Sequence, residues 1–201
     1  VINWNLRKGY DALIEAFVNA FRQDDPVALV IAATVPEEIV SAMLYPHLPR
    51  RNDLPQVMLY NRVIPMKAMP SIYDCVHCYV HLSRGEGFSL TQIEAAARSV
   101  PVISCCHSGI TEYLREDNSY PIYCTETEPC NPELRKVSVF YENQEMWKVG
   151  PDQAARAAEL MRHVVANYAE ARTKAEILRA EVRQKYTWHH AAKRAVEALE
   201  S

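Results

Sequence analysis

Short runs rich in Val, Ile, Leu and Tyr alternate with segments of helical period through most of the sequence, and few folds accommodate that alternation. Residues 27–33, 56–60, 76–82, 100–104 and 120–124 read as strands, several of them apolar on both faces. A strand without a polar face must be covered on two sides, which is the condition of a parallel sheet between helices. The intervening segments supply those helices. Leu13, Ala16, Phe17, Ala20 and Phe21 follow Gly9 at helical spacing, as Ile93, Ala96 and Ala97 follow Glu86. Residues 36–45 and 69–73 read as shorter helices with Pro in the first turn, where its missing N–H costs nothing. Residues 117–118 and 126–132 read as loops. Beyond Asp152 come amphipathic segments, 153–168, 169–186 and, behind a Thr187 cap, 188–199. These are expected to pack onto the sheet, with His163, His189 and His190 at the surface. The class is α/β, one domain over residues 1–201 with a helical C-terminal part from about residue 153.

A chain of 201 residues can bury a core of its own, and 49% hydrophobic with 23% charged residues is the balance of a globular domain rather than a disordered one. The net charge of −3 supplies no general field for nucleic acid or an anionic membrane, so no nucleic-acid partner is expected and phosphate binding falls to local charge. The longest apolar stretch, residues 27–35, is too short to cross a bilayer, and the N-terminus lacks the order of a signal peptide. The chain reads as cytoplasmic, with membrane association not indicated. Val1 opens inside what reads as a strand, so a preceding segment is expected. Of the six cysteines, Cys75 and Cys78 have zinc or redox spacing, but there is no second such pair, and the adjacent Cys105 and Cys106 suit a closed tetrahedral site poorly. Small core residues at strand ends are the plainer reading of these four.

Glycine is scarce, five in the chain, yet Gly85, Gly87 and Gly109 cluster at the ends of expected strands. In an open α/β sheet the ligand crevice lies beyond the carboxyl ends of the strands, where glycine lets backbone N–H groups approach a phosphate or a sugar. Strand 76–82, the loop Ser83-Arg-Gly-Glu-Gly-Phe88 and a helix from Ser89 form such a strand, loop and helix unit. Its helix N-terminus would offer free N–H groups and a positive dipole end to an anion. Steric need at the turn is the alternative use of those glycines. Glu86 lies in the loop and Glu94 about one and a half helical turns further on, where a carboxylate can accept two hydrogen bonds from the vicinal diol of a ribose. The alternative for Glu94 is a solvated helix position, against which the following Ala95-Ala-Ala97 argues for close packing.

The run Glu86-Gly-Phe-Ser-Leu-Thr-Gln-Ile-Glu94, with Ala95-Ala96, Val100-Pro-Val-Ile103 and Ser108-Gly-Ile-Thr-Glu112, resembles the two-glutamate donor segment of the retaining glycosyltransferase family 4. Arg7-Lys-Gly-Tyr-Asp-Ala-Leu-Ile-Glu-Ala-Phe17, Met69-Pro-Ser-Ile-Tyr73, Leu59-Tyr-Asn-Arg-Val63 and Tyr186-Thr-Trp188 resemble further segments of that family. The resemblance implies a Rossmann-like C-terminal domain of the GT-B fold that binds a nucleotide diphosphate sugar as substrate, with no cofactor or metal. It implies that Glu86 lies against the donor sugar and that the amides of Phe88, Ser89 and Leu90, beyond Gly85 and Gly87, meet sugar and phosphate. Glu94 would hold the ribose, Lys8 would neutralise the departing diphosphate, Arg7 and Arg84 would be accessory cations, and Arg62 and Val63 would lie on the base side. A cation at Lys8 also makes physical sense, because negative charge developing on a leaving nucleotide needs a fixed positive group. The sequence departs from the family pattern at Ile2 and Asn3, where a further cation is common, and at Ser89, Leu82 and Asn61. The resemblance further implies a missing N-terminal domain for the acceptor, so the isolated chain is expected to bind a nucleoside diphosphate but to transfer no sugar. The alternative is a non-catalytic nucleotide-sugar-binding or assembly module of the same fold.

Overall fold

The computed structural model describes residues 5–200; the strand read at Val1 and the departures at Ile2 and Asn3 lie outside the described residues. Helices α1 (Tyr10–Ala20), α2 (Glu37–Leu44), α3 (Met69–Asp74), α4 (Leu90–Ala97), α5 (Pro132–Arg135), α6 (Pro151–Ala166), α7 (Tyr168–Lys185) and α8 (Trp188–Glu200) alternate with short strands. Strands β1 (Ala28–Ala32) and β2 (Gln56–Tyr60) pair in parallel, Ala28 opposite Gln56 through Ala32 opposite Tyr60. Strands β3 (Tyr79–His81), β4 (Val102–Cys106) and β5 (Tyr120–Tyr123) form a second parallel sheet in that order. A short antiparallel ladder joins β6 (Thr127–Pro129) to β7 (Glu145–Trp147).

The strands read from the sequence are present, with ends moved for identifiable reasons. β3 begins late because Val76 still bonds back to the Tyr73 carbonyl at the end of α3. β4 begins at Val102 because the Val100 N–H closes the C-terminus of α4 on Ala95 and Pro101 has no N–H to contribute. The loop read over 126–132 is corrected: it holds β6, whose partner lies beyond the intervening residues 130–144.

Alternation along β4 explains the layers. Ile103 and Cys105 face one core with Leu13, Phe17, Ala157 and Met161, so α1 and α6 cover that side. Val102 and Cys106 face the other with Ile93, Ala96, Leu178 and Val182, so α4 and α7 cover the opposite side. A third cluster, Tyr10, Ile14 and Val18 with Ile31 and Val40, fixes α1 to β1 and α2. The fold is therefore an α/β arrangement of parallel strands between helices, with the carboxyl ends of β3 and β4 delivering the loops at 82–89 and 107–112. One expectation fails at the C-terminus. Thr187 caps α8 through a 3.3 Å bond to the His190 N–H, but α8 buries no residue, and Trp188 is 82% exposed. Its apolar positions meet no core surface among the described residues, unlike those of α6 and α7.

Candidate donor-binding site

Two segments distant in sequence are locked together at the end of β3. Residues Leu6–Lys8 form one 3-10 turn that ends at Gly9, whose φ of 66° is left-handed. A Cβ there would stand 1.8 Å from the Leu82 carbonyl oxygen, so glycine is required by conformation and by space. The Arg7 carbonyl accepts from the Arg84 N–H at 2.7 Å and from the Ser83 hydroxyl at 2.9 Å, which ties the turn to the loop. This closure places Lys8 against Glu86, with Nζ 2.5 Å from Oε1. His81 Nε2 reaches the same oxygen at 3.0 Å, and the Arg7 guanidinium stands 3.7 Å from it. Arg7 also donates to the Gly85 carbonyl and, at 3.2 Å, to the Tyr141 hydroxyl.

The Glu86 side chain is only 9% exposed. Burial alone would raise its pKa, but hydrogen bonds from His81 and Lys8 and the positive charge of Lys8 outweigh that penalty and hold the carboxyl down at about 2. His81 is shifted the other way: burial lowers its pKa, opposed by the hydrogen bond to Glu86. A buried ionised carboxylate with a fixed cation is thus built into the end of β3.

The loop then turns into α4 through Ser89, which has φ 59° and ψ 73°, a left-handed conformation that side chains of L-residues adopt at a cost. Among the described residues its buried Oγ has no hydrogen-bond partner, and neither has Nε2 of the fully buried Gln92. Phe88 is held from behind by aromatic rings, 5.3 Å from Tyr113 and 5.5 Å from Tyr186 between centroids, and its carbonyl accepts from the Tyr113 hydroxyl at 2.8 Å. Leu90 is exposed at the first position of α4. Glu94, one face further along, is exposed, while Ala95 and Ala96 beside it are fully buried. Its Oε2 accepts from the buried Tyr73 hydroxyl at 2.7 Å. Burial, then the neighbouring Glu94, push the Tyr73 phenol above its ordinary range, so it stays a donor.

Arg84, which lines the same cavity, has its partners within the chain. Its guanidinium turns inward, donating to both oxygens of Asp11 at 2.7 Å and to the carbonyls of Leu6 and Val149 at 2.8 Å. With those partners it braces the loop from below instead of offering a free cation. The glycines also divide. Among the described residues nothing lies within 4 Å of where a Cβ on Gly87 would be, whereas a Cβ on Gly109 would fall 2.2 Å from the Gly87 carbonyl oxygen. Gly109 is thus glycine for close backbone approach, sealed by its N–H to the Gly87 carbonyl at 3.0 Å. Before it, Cys105 and Cys106 are buried in β4, and His107 holds the Ser83 carbonyl at 2.8 Å while stacking on Trp147.

A cavity of about 470 Å³ lies between the Gly85 to Gly87 loop and the β6–β7 segment. Arg7 and Glu86 form one side; Phe140, Tyr141, Met146 and Trp147 form the other. Arg62 and Val63 follow β2 and are exposed, Val63 at 81%. Among the described residues they form no hydrogen bond or ion pair with the loop that carries Glu86 or with Glu94. Sequence reasoning missed His81, Tyr73, Tyr141 and Trp147. The first two stand in segments already singled out, β3 and α3; the last two belong to a segment whose only signal was aromatic content. The four cysteines also divide, since Cys75 is exposed at the end of α3 and Cys78 half-buried, with burial pushing the Cys78 thiol up to about 12. No cluster of three or more His, Cys, Asp or Glu placed to hold a metal ion occurs among the described residues, and no helix among them is long and apolar enough to cross a membrane.

Two family profiles match this chain, each over more than half its length: family 4 glycosyltransferase in conflict systems over residues 67–195, and glycosyl transferases group 1 over residues 2–130. The chain belongs to the group 1, family 4 glycosyltransferases. A comparison with curated proteins finds no match. Among solved structures, Anabaena HepE in complex with UDP and glucose is 16% identical with a TM-score of 0.70, covering 99% of this chain and 46% of its own. The C-terminal domain of the glycosyl transferase group 1 family protein LpcC from Francisella tularensis is 18% identical with a TM-score of 0.65, covering 92% and 83%. Sucrose-phosphate synthase from Thermosynechococcus elongatus is 19% identical with a TM-score of 0.69, covering 100% and 43%. This glycosyltransferase chain therefore spans less than half the length of HepE and of the synthase, and its fold is that of a GT-B C-terminal domain. Lys8 and Glu86 meet at the carboxyl end of β3, and Glu94 stands on α4, the helix that follows.

Proposed function

We propose that this chain is the donor-binding domain of a retaining glycosyltransferase that moves a hexosyl group from a nucleotide diphosphate sugar to an acceptor hydroxyl. The observation that carries the reading is the joining of the Leu6–Lys8 turn to the loop at Glu86, which assembles a cation and a buried carboxylate at the mouth of one crevice. HepE, solved with UDP and glucose, supports a uridine or other nucleoside diphosphate as the ligand class.

In this reading Glu94 accepts from the ribose diol, with Tyr73 fixing one of its oxygens. The N–H groups at the start of α4 and the loop amides of Phe88, Ser89 and Leu90 meet phosphate and sugar. Glu86 accepts from a sugar hydroxyl, and the cavity beside it receives the sugar or the approaching hydroxyl. Arg62 and Val63 flank the base through their backbone. As the bond from the anomeric carbon to the phosphate oxygen breaks, its electron pair goes to that oxygen, and Lys8, assisted by Arg7, neutralises the charge. The acceptor oxygen bonds to the anomeric carbon on the face the nucleotide leaves, and its proton passes to the departing phosphate oxygen. Because Lys8 and Arg7 supply the positive charge, the transfer needs no metal in this reading. A second domain, preceding this one, brings the acceptor. The chain works in the cytoplasm, where nucleotide sugars are made available to such domains.

The test is thermal stabilisation by UDP, GDP and ADP and by their glucose or mannose conjugates, followed by a transfer assay. Binding raises the melting temperature by mass action. The expected outcome is stabilisation by one nucleotide series and no sugar transfer by the 201-residue chain alone. Turnover by this chain would overturn the split-site reading. Stabilisation that persists while the chain joined to its acceptor domain still fails to transfer would favour the non-catalytic module, a reading to which the strained Ser89 at the phosphate end of α4 lends weight.

A further inference from the structure

His81 lies in the middle of the donor site without any assigned role, and its surroundings specify one. It is 2% exposed at the end of β3 and sits behind Glu86. One ring nitrogen, Nε2, is 3.0 Å from Glu86 Oε1; the other, Nδ1, is 3.3 Å from the Tyr79 hydroxyl, which is itself 2.8 Å from Thr91 Oγ1. The rings of Tyr79 and His81 stack with an interplanar angle of 14°, so the imidazole cannot rotate without moving its neighbour. The chain of contacts runs from the first turn of α4, through β3, to the loop carboxylate and Lys8.

The proton inventory decides the tautomer. Glu86 is ionised and can only accept, so Nε2 must carry a proton. Burial disfavours a second proton on the ring, which leaves Nδ1 unprotonated beside the Tyr79 hydroxyl, whose one proton it shares with Thr91 Oγ1. A neutral imidazole so fixed points one donor at one oxygen. Lys8 and Arg7 converge on that same Oε1, while Oε2 has no hydrogen bond among the described residues. The ligand-facing capacity of Glu86 is therefore concentrated in Oε2.

We infer that His81 is a positioning residue that orients Glu86 through Nε2–H and so reserves Oε2 for a hydroxyl of the donor sugar. The inference rests on the donor-binding reading given above. It predicts a division of labour: losing the His81 donor weakens recognition of the sugar and leaves recognition of the bare nucleoside diphosphate intact, because Glu94, the α4 N-terminus and Lys8 stay in place.

The experiment compares the native chain with His81→Phe, which fills the space without a donor, and His81→Gln, whose amide N–H can replace Nε2–H. Long-range proton–nitrogen spectra at pH 7 report the His81 tautomer, and calorimetry gives affinities for UDP, GDP and ADP and for UDP-glucose, GDP-mannose and ADP-glucose. The expected result is a neutral His81 protonated at Nε2. His81→Phe should lose about tenfold in affinity for the nucleotide sugar, the scale of one hydrogen bond to a charged group, with the bare nucleotide unchanged. His81→Gln should keep the native ratio. A proton on Nδ1 alone, an unchanged ratio in His81→Phe, or an equal loss in His81→Gln would overturn the inference. Absence of nucleotide binding by the native chain would instead overturn the donor reading, and with it the sugar-recognition role, whereas a bound nucleotide with an unchanged ratio condemns the His81 role alone.

Discussion

Replacing Gly9 by Ala should damage both the fold and the site, and its cost can be worked from the structure. The left-handed φ of 66° costs an L-residue about 1 kcal/mol or somewhat more. The added Cβ would lie 1.8 Å from the Leu82 carbonyl oxygen and 2.7 Å from its carbon, both backbone atoms that cannot swing away. Restoring van der Waals separation needs a shift on the order of 1.5 Å. That shift breaks the bonds from Arg84 N–H and the Ser83 hydroxyl to the Arg7 carbonyl, each worth roughly 1 kcal/mol. The total is about 3–4 kcal/mol, which for a domain of this size lowers the melting temperature by roughly 6–16 °C. Because Lys8 moves with the turn, its contact to Glu86 should loosen as well. Scanning calorimetry of Gly9→Ala beside the native chain checks this. A melting temperature within about 2 °C of native would refute the claim that the turn is sterically locked to the end of β3.

Further outcomes follow from the same geometry. Ser89→Gly should raise the melting temperature by roughly 2–4 °C, since glycine relieves about 1 kcal/mol of left-handed strain and removes a buried orphan hydroxyl; a fall in melting temperature would show that Ser89 is not strained. Asp11→Asn should cost about 3 kcal/mol in urea unfolding, because it leaves the buried Arg84 guanidinium without its counter-charge. Arg84→Met should cost less, and a drop in nucleotide affinity without any loss of stability in either variant would restore Arg84 as a ligand cation. The depressed Glu86 carboxyl contributes stability that is complete above its ordinary pKa of 4.5 and is lost as pH falls through about 2. The loss amounts to roughly 3 kcal/mol, and Glu86→Gln should lack that part of the acid dependence, read as a shallower fall in urea-unfolding free energy between pH 4.5 and 2.

The layered sheet was legible because β4 carries apolar residues on both sides, Ile103 and Cys105 on one and Val102 and Cys106 on the other, a pattern that a doubly covered strand needs. The two motif glutamates were legible through spacing and resemblance. What lies beside them was not, for physical reasons. Arg84 and Asp11 are 73 residues apart, and nothing local shows whether a guanidinium faces a ligand or a buried carboxylate. A histidine in an apolar strand carries no mark of its partner, so His81 became meaningful only when the loop folded Glu86 back onto it at 3.0 Å. The β6–β7 ladder was hidden because three-residue strands have too few positions to show alternation. Glycine was read for ligand access at Gly85, Gly87 and Gly109, whereas the left-handed angle belongs to Gly9 and the tight backbone approach to Gly9 and Gly109, in each case against the chain's own backbone.

The central claim is that one crevice, with Glu94 on its ribose side and Lys8 and Glu86 on its phosphate and sugar side, binds a nucleoside diphosphate. Calorimetric titration of UDP, GDP and ADP into the native chain and into Glu94→Ala tests it most directly. One nucleotide should bind the native chain and lose at least about tenfold in affinity for Glu94→Ala, since two hydroxyl hydrogen bonds to a carboxylate disappear. Equal affinity in the two proteins, or no binding of any of the three nucleotides by the native chain, would contradict it.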